Sequence, residues 1–306
     1  MEENMAKFDG IYNNIIKKIN AIGCWDEEAR PKYADGTTAY TKSIINEQIK
    51  FDVKHCSGLL TTKRVPMKDP IQELFWIWKW KTNSVDFLSE YLKCKVWNEW
   101  KRPDGTIGKA YGWQLANKFR TVKLDAVLME MIIAREVTSA IAIPNTDCVK
   151  LDQVDYMLYM VKANPFSRRI KTTLWCVEDL DDMSLEPCVY ETHWQTWNGK
   201  LNLTVNVRSN DMGLGNPYNV YQYTTLLKMV AQVTGREAGE ICFNIDNAHV
   251  YDRHIEPLIE QVERECYAEP TVWINPNVTS FYEFTIDDIK VTGYEHGERV
   301  PLEVAI

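Results

Sequence analysis

The stretch that most restricts the fold runs from Glu186 to Asn219 and carries Asn198-Gly199 between two runs of strand-forming residues. An Asn-Gly pair in that setting predicts a two-residue hairpin turn, because both central residues of the favoured turn need a positive φ. In the second run Leu201, Leu203, Val205 and Val207 alternate with Asn202, Thr204 and Asn206, so one face is buried and the other polar. Counting outward from Trp197 opposite Lys200 along an unbroken ladder sets Cys188 opposite Ser209, next to Arg208; a bulge would shift this by a residue. In either register a thiol at one strand end meets a cation and a hydroxyl from the other. A nearby guanidinium favours thiolate over thiol, and the thiolate is the nucleophile. A lone Cys here is also compatible with a buried structural thiol.

At 306 residues the chain has ample length to bury a core, and its net charge of -8 argues against a surface that coats nucleic acid or anionic membrane. Any phosphate site must then be built locally from a few arginines. The 8 Cys are irregularly spaced with no C-x-x-C pair, and no apolar leader opens the chain. That pattern predicts reduced thiols in a cytoplasmic protein. No apolar run approaches the roughly 18 residues of a membrane span. The 11 Trp and 15 Tyr suit either the stacking of planar ligands or a large aromatic core.

Phe8, Ile11, Tyr12, Ile15, Ile16 and Ile19 predict an amphipathic opening helix stopped at Gly23. Arg30 lies on a polar loop that turns at Asp35-Gly36 and leads to a strand reaching Phe51. Pro70 opens a helix from Ile71 to Trp80 that carries Glu73 among Leu74, Phe75, Ile77 and Trp78. Spacing leaves that carboxylate either on the solvent face or in a pocket with a raised pKa. Residues 118–150 read as a helical addition to the body, with Leu124, Val127, Leu128, Met131 and Ile132 on one face. It is either a surface helix or a partner-binding element.

Asp152 is placed to cap the next helix, which Asn164-Pro165 ends. The adjacent Arg168 and Arg169 are then either solvated or a phosphate site, ahead of a strand from Ile170 to Cys176. Gly213-Leu-Gly-Asn-Pro reads as a glycine-rich loop without the dinucleotide or P-loop spacing. A buried helical stripe at Leu226, Leu227, Val230 and Val233 follows, with Gly235 as its stop, and Ile241 to Ile245 is strand-like. The apolar end at Val304, Ala305 and Ile306 is either docked or closes over a ligand. With no repeat or linker, one α/β domain is expected.

The order of motifs resembles the thymidylate synthase family over nearly the whole chain outside 118–150. The matches are T-T-K-R at 61–64, E-L-F-W at 73–76, W-N-E-W at 97–100, Y-G at 111–112, S-R-R at 167–169 and P-C at 187–188. R-S-N-D at 208–211, G-L-G-N-P-Y-N at 213–219, H-V-Y at 249–251 and V-A-I at the end continue the series. The wording C-V-Y-E-T, R-S-N-D-M and W-I-N-P is most similar to the branch found in Bacillus and its phages. Val189 departs from the His that usually follows the Cys, and Asp246-Asn247 stands where Gly-Asp is usual.

The resemblance implies a large mixed sheet flanked by helices, packed sheet to sheet in a homodimer. It implies a methyltransferase that converts dUMP to dTMP, with 5,10-methylenetetrahydrofolate as carbon and hydride source and no metal. Cys188 would add to C6 of the uracil ring, Glu73 would manage proton transfers through water, and Tyr111 would assist loss of the C5 proton. Arg30, Arg208 and Ser209 would hold the phosphate, with Arg168 and Arg169 reaching over from a neighbouring copy. His249 and Tyr251 would bind the ribose, and the amide of Asn219 would read the uracil edge and favour dUMP over dCMP. Asp211 would hold the pterin. Trp97, Trp100, Leu185, Leu214, Gly215 and Tyr218 would line the folate pocket, and Ala305 and Ile306 would close it.

Two rivals remain at this level. One is a dUMP hydroxymethylase, in which water replaces hydride; the other is a nucleotide- or RNA-binding homologue without turnover. The acidic balance disfavours nucleic acid as the main partner. If the chain is phage-encoded, the expected location is the host cytoplasm.

Overall fold

A computed structural model describes residues 6–306. In chain order, α1 (Lys7–Ile22), β1 (Cys24–Trp25) and β2 (Thr41–Asp52) precede α2 (Lys68–Leu74), α3 (Gly112–Asn117), β3 (Phe119–Lys123) and α4 (Ala126–Ile133). Next are β4 (Ile141–Ala142), β5 (Cys148–Asp152), α5 (Gln153–Ala163) and β6 (Lys171–Thr173). The second half holds β7 (Val189–Trp197), β8 (Lys200–Val207), β9 (Asn210–Asp211) and α6 (Gly215–Val233). It closes with β10 (Glu237–Tyr251), α7 (Ile255–Val262), β11 (Thr271–Ile274) and β12 (Ile289–Thr292).

The central hairpin is β7–β8. Asn198 and Gly199 have φ of 50° and 76°, the left-handed pair the turn requires. Pairing runs from Trp197↔Lys200 to Glu191↔Asn206 and then slips by one residue to Val189↔Val207. Tyr190 is the extra residue of a bulge. The unbroken count is thereby corrected: Cys188 stands level with Arg208, whose backbone N–H donates to the Cys188 carbonyl at 2.9 Å.

Around this hairpin a seven-stranded mixed sheet forms in the order β1-β2-β10-β8-β7-β6, with β9 alongside β10. β10 runs antiparallel to β2 and parallel to β8. Leu201, Leu203, Val205 and Val207 are at most 1% exposed beneath α6, while α1 packs on β2 and α7. The opposite face is polar. There Gln48 donates to Asn244 at 3.0 Å, Asn244 to Asn206 at 3.0 Å, and Asn206 to Glu191 at 2.9 Å, a ladder of side chains across β2, β10, β8 and β7.

Four other expectations are refined. α2 begins at Lys68, so Pro70 falls inside the first turn, where a missing N–H has no intrahelical acceptor to lose. Beyond Leu74 the helix widens, and Trp80 N–H donates five residues back to Phe75 at 2.8 Å. The segment 118–150 is mixed rather than helical: α4, capped by Asp125, lies with a three-stranded sheet in the order β3-β5-β4. Exposed β3 and β4 bury too little to show alternation, so only the α4 stripe was legible. The expected glycine loop is the entry to α6, which places Asn219 on a helix.

Candidate active site

The site forms where the core face of β10, the bulged end of β7–β8 and the start of α6 converge. Cys188 immediately precedes β7, and its backbone N–H donates to the Tyr111 hydroxyl at 3.1 Å. Tyr111 has φ 46° and ψ -109°, a strained backbone for an L-residue. The following Gly112 makes that bend feasible, since a Cβ there would lie 2.4 Å from the Thr82 carbonyl oxygen. The pair Y-G is thus a packing requirement as well as a motif.

The structure resolves the ambiguity of Glu73. It is half-buried, with Oε1 accepting from the Trp97 indole at 2.5 Å and Oε2 from Gln222 at 2.9 Å. Burial pushes its pKa up, and the two donors pull it back only in part. Trp97 stands edge-on to Tyr111 and Trp100 at 5.1 and 5.5 Å, an aromatic wall beside the carboxylate.

Arg208 is engaged locally, with Nε donating to Pro187 O at 3.0 Å, Nη2 to Glu186 O at 2.8 Å, and its plane 5.7 Å from Trp175. It lowers the Cys188 pKa, but burial is the stronger influence and Asp211 adds to it, so the thiol is raised above its ordinary value. The expectation that Arg208 alone would favour the thiolate is corrected accordingly. Alkylation of Cys188 by iodoacetamide, read by peptide mapping, should therefore have a pH midpoint above the ~8.5 of free cysteine. A midpoint below pH ~8 would show that the cation prevails.

Asp211 accepts from Gly213 N–H at 2.8 Å through Oδ1; among the described residues Oδ2 has no hydrogen-bond donor. Asn219 Oδ1 accepts from Asn210 at 3.2 Å, and Asn210 in turn accepts from Asn216 at 2.5 Å. That chain fixes which end of the Asn219 amide faces outward. His249 is 7% exposed, with Nδ1 3.0 Å from Asn247 Oδ1, and Tyr251 stands edge-on to it at 5.6 Å. Leu214 caps α6, where Gly215 and half-buried Tyr218 begin the helix, and half-buried Ser209 follows Arg208. Leu185 packs against the core three residues before Cys188.

Arg30 is exposed but near enough to lower the Tyr251 pKa against the effect of burial. Its loop is tied to the chain end: Lys32 and Ile306 exchange backbone hydrogen bonds of 2.7 and 2.9 Å. Arg253 spans both segments, donating to Glu303 and Asp35 at 2.7 Å each, and His254 Nε2 lies 2.7 Å from Glu303 O. Ala305 and Ile306 are therefore docked. Arg168 and Arg169 are exposed and do not join Cys188. Arg168 instead lines a hollow of about 570 Å³ with Lys50, Gln195 and Trp197, toward the outer face of the sheet.

Sequence reasoning missed Gln222, Asn210 and Asn247, which orient Glu73, Asn219 and His249. Gln222 had a signal, a polar residue three positions after Asn219 and so on the same side of α6. Lys63 was seen only as part of a motif. It is buried, donates to Gly213 O at 2.7 Å, and has its pKa lowered by burial to about 8.

A half-buried thiol flanked by a cation, a half-buried carboxylate and a tyrosine, at the strand ends of an α/β sheet, is the arrangement of an enzyme that works by covalent addition. The thymidylate synthase profile matches residues 10–306. The chain is 48% identical to a thymidylate synthase of Bacillus mojavensis over 305 residues, 99% of this chain and 100% of that one. It is 47% identical, with the same coverage, to the thymidylate synthase of Bacillus phage phi3T. Its fold is similar to that of the thermostable thymidylate synthase A from Bacillus subtilis, with TM-score 0.85, 48% identity and coverage of 98% and 99% of the two chains. The chain belongs to the thymidylate synthase family.

Proposed function

We propose that this chain methylates dUMP reductively to dTMP through covalent addition of Cys188 to uracil C6. The observation that carries the reading is the convergence of Cys188, Tyr111, Glu73, Arg208 and Asp211 around one thiol, each acting on its ionisation. Bound 5,10-methylenetetrahydrofolate would supply the carbon and the hydride. The residues suit it: Trp97 and Trp100 offer an aromatic wall, and the Oδ2 of Asp211, without a donor among the described residues, suits ring N–H donors. Leu185, Leu214, Gly215 and Tyr218 complete the lining, with Ala305 and Ile306 over it.

In this reading Cys188 forms the S–C6 bond as the ring electrons move toward O4, where Asn219 stabilises them. Glu73, its pKa raised by burial, exchanges protons with O4 through water, and Tyr111 receives the C5 proton by the same route. Arg208, Ser209 and Arg30 hold the phosphate, while His249 and Tyr251 hold the ribose. Arg168 and Arg169 serve a second copy across the polar sheet face, making the homodimer the functional unit. The chain is taken as one catalytic domain with 118–150 as an added subdomain.

The test incubates the purified protein with dUMP tritiated at C5 and methylenetetrahydrofolate, following tritium release and dihydrofolate absorbance together. Release with a matching absorbance rise is expected. Release without dihydrofolate would assign the water-terminated hydroxymethylase reaction, and no release from folded protein would reject turnover.

A further inference from the structure

Asn247, His249 and Tyr251 occupy successive same-side positions on β10, so their side chains share the face that carries the site. Asn247 Oδ1 lies 3.0 Å from His249 Nδ1. An amide oxygen is an acceptor only, so the ring nitrogen facing it bears the hydrogen, and Nε2 of a neutral ring keeps its lone pair. The surroundings favour the neutral ring. Its charged neighbours are Asp211 from β9, Arg208 beyond β8 and Asp26 beyond β1. Burial outweighs the two carboxylates and the hydrogen bond to Asn247, with Arg208 acting in the same direction as burial, and holds the imidazole below its ordinary pKa. Tyr251 packs edge-on against the ring, and the His249 carbonyl is taken by Met212 N–H at 2.9 Å, so neither backbone nor ring is free to turn.

We propose that Asn247 is a positioning residue that fixes His249 as the neutral Nδ1–H tautomer, so that Nε2 accepts a hydrogen bond from the 3′-hydroxyl of the bound deoxynucleotide. The identity of the donor rests on the function proposed above, since a 2′-deoxynucleoside 5′-monophosphate has only that free sugar hydroxyl. The tautomer rests on the geometry alone. A carboxylate at position 247 would hold the same Nδ1–H but stabilise imidazolium, in which Nε2 is a donor and cannot accept. The amide at position 247 therefore commits His249 to one hydrogen-bonding role across the neutral range.

Two measurements test this separately. Proton–nitrogen couplings of His249 in histidine-labelled protein, without nucleotide, should show Nδ1 protonated and Nε2 bare from pH ~6.5 to ~8.5. The reverse pattern, or imidazolium in that range, overturns the assignment. Titrations with dUMP and with 2′,3′-dideoxyuridine monophosphate then read the contact itself. Asn247→Ala should weaken dUMP about tenfold and leave the dideoxy analogue within about twofold. Asn247→Asp, the shape-conserving variant, should raise the His249 titration midpoint and give the dUMP-to-dideoxy affinity ratio a pH dependence that the unsubstituted protein lacks. Equal losses for both nucleotides, or a ratio in Asn247→Asp that stays flat with pH, would make Asn247 merely structural. If the unsubstituted protein bound neither nucleotide while the couplings came out as expected, the hydroxyl contact and the functional reading would fall and the tautomer would stand.

Discussion

Replacing Lys81 by Met should lower stability by about 3–5 kcal/mol, the usual cost of removing one partner from a buried ion pair. Lys81 is 10% exposed in its side chain and bridges to Asp152, 2% exposed, with Asp155, 0% exposed, 4.0 Å away. It also donates to Thr138 at 2.8 Å and to the Tyr282 hydroxyl at 3.0 Å. Asp155 accepts from Thr138 N–H and Ser139 N–H at 2.7 Å each, so the network ties the 118–150 segment to α5 and to the Lys81-Thr82 turn. Without the ammonium, two carboxylates share a site closed to water.

The loss should depend on pH in a defined direction. Burial and Asp155 hold Asp152 above the ordinary carboxylate range even with Lys81 present, so its folded pKa exceeds its unfolded one. Removing Lys81 widens that gap. Ionised Asp152 then opposes folding, and the deficit is full above the variant's folded pKa and shrinks as pH falls toward the unfolded value of ~4. Thermal unfolding at pH 8 and pH 5 checks this; at pH 8 the melting temperature should fall by roughly 10 °C. A loss equal at both pH values would mean that packing, rather than charge pairing, is what Lys81 supplies.

Cys188→Ser should reduce turnover at least ~10³-fold while leaving dUMP binding within a few-fold. A serine hydroxyl occupies nearly the same volume but ionises far above the range that Arg208 can reach, whereas the phosphate and uracil contacts proposed here come from other side chains. Steady-state assay beside dUMP calorimetry separates the two. Retained turnover would remove the thiol from the chemistry, and equal loss of binding would give it a structural role.

The hairpin was legible because Asn198-Gly199 and the Leu201 to Val207 alternation are local signals, and both survive into the fold unchanged. The bulge at Tyr190 was not, because a one-residue slip depends on what packs at the far end of the strand. α1 and its stop at Gly23 were readable from periodicity for the same local reason. Glu73 shows the limit most plainly. Its spacing among apolar residues fitted a solvent face or a pocket equally well, and only the tertiary partners Trp97 and Gln222, at 24 and 149 residues' remove, decide between them. His249 and Tyr251 could be placed by motif, yet Asn247 was legible only as a departure from the usual Gly-Asp, because its contact with the histidine needs the β10 face.

The bonds that shape the site have one property in common: distance along the chain. Cys188 to Tyr111 spans 77 residues, Lys63 to Gly213 spans 150, and Tyr12, whose hydroxyl donates to Met212 O, reaches across 200. Contacts of such separation close only after most of the chain is collapsed, because each must first overcome the entropy of a long loop. The chemistry is thus a property of the finished topology. A complete but half-folded chain holds every residue of the site and none of its geometry, so it carries no partly competent nucleophile.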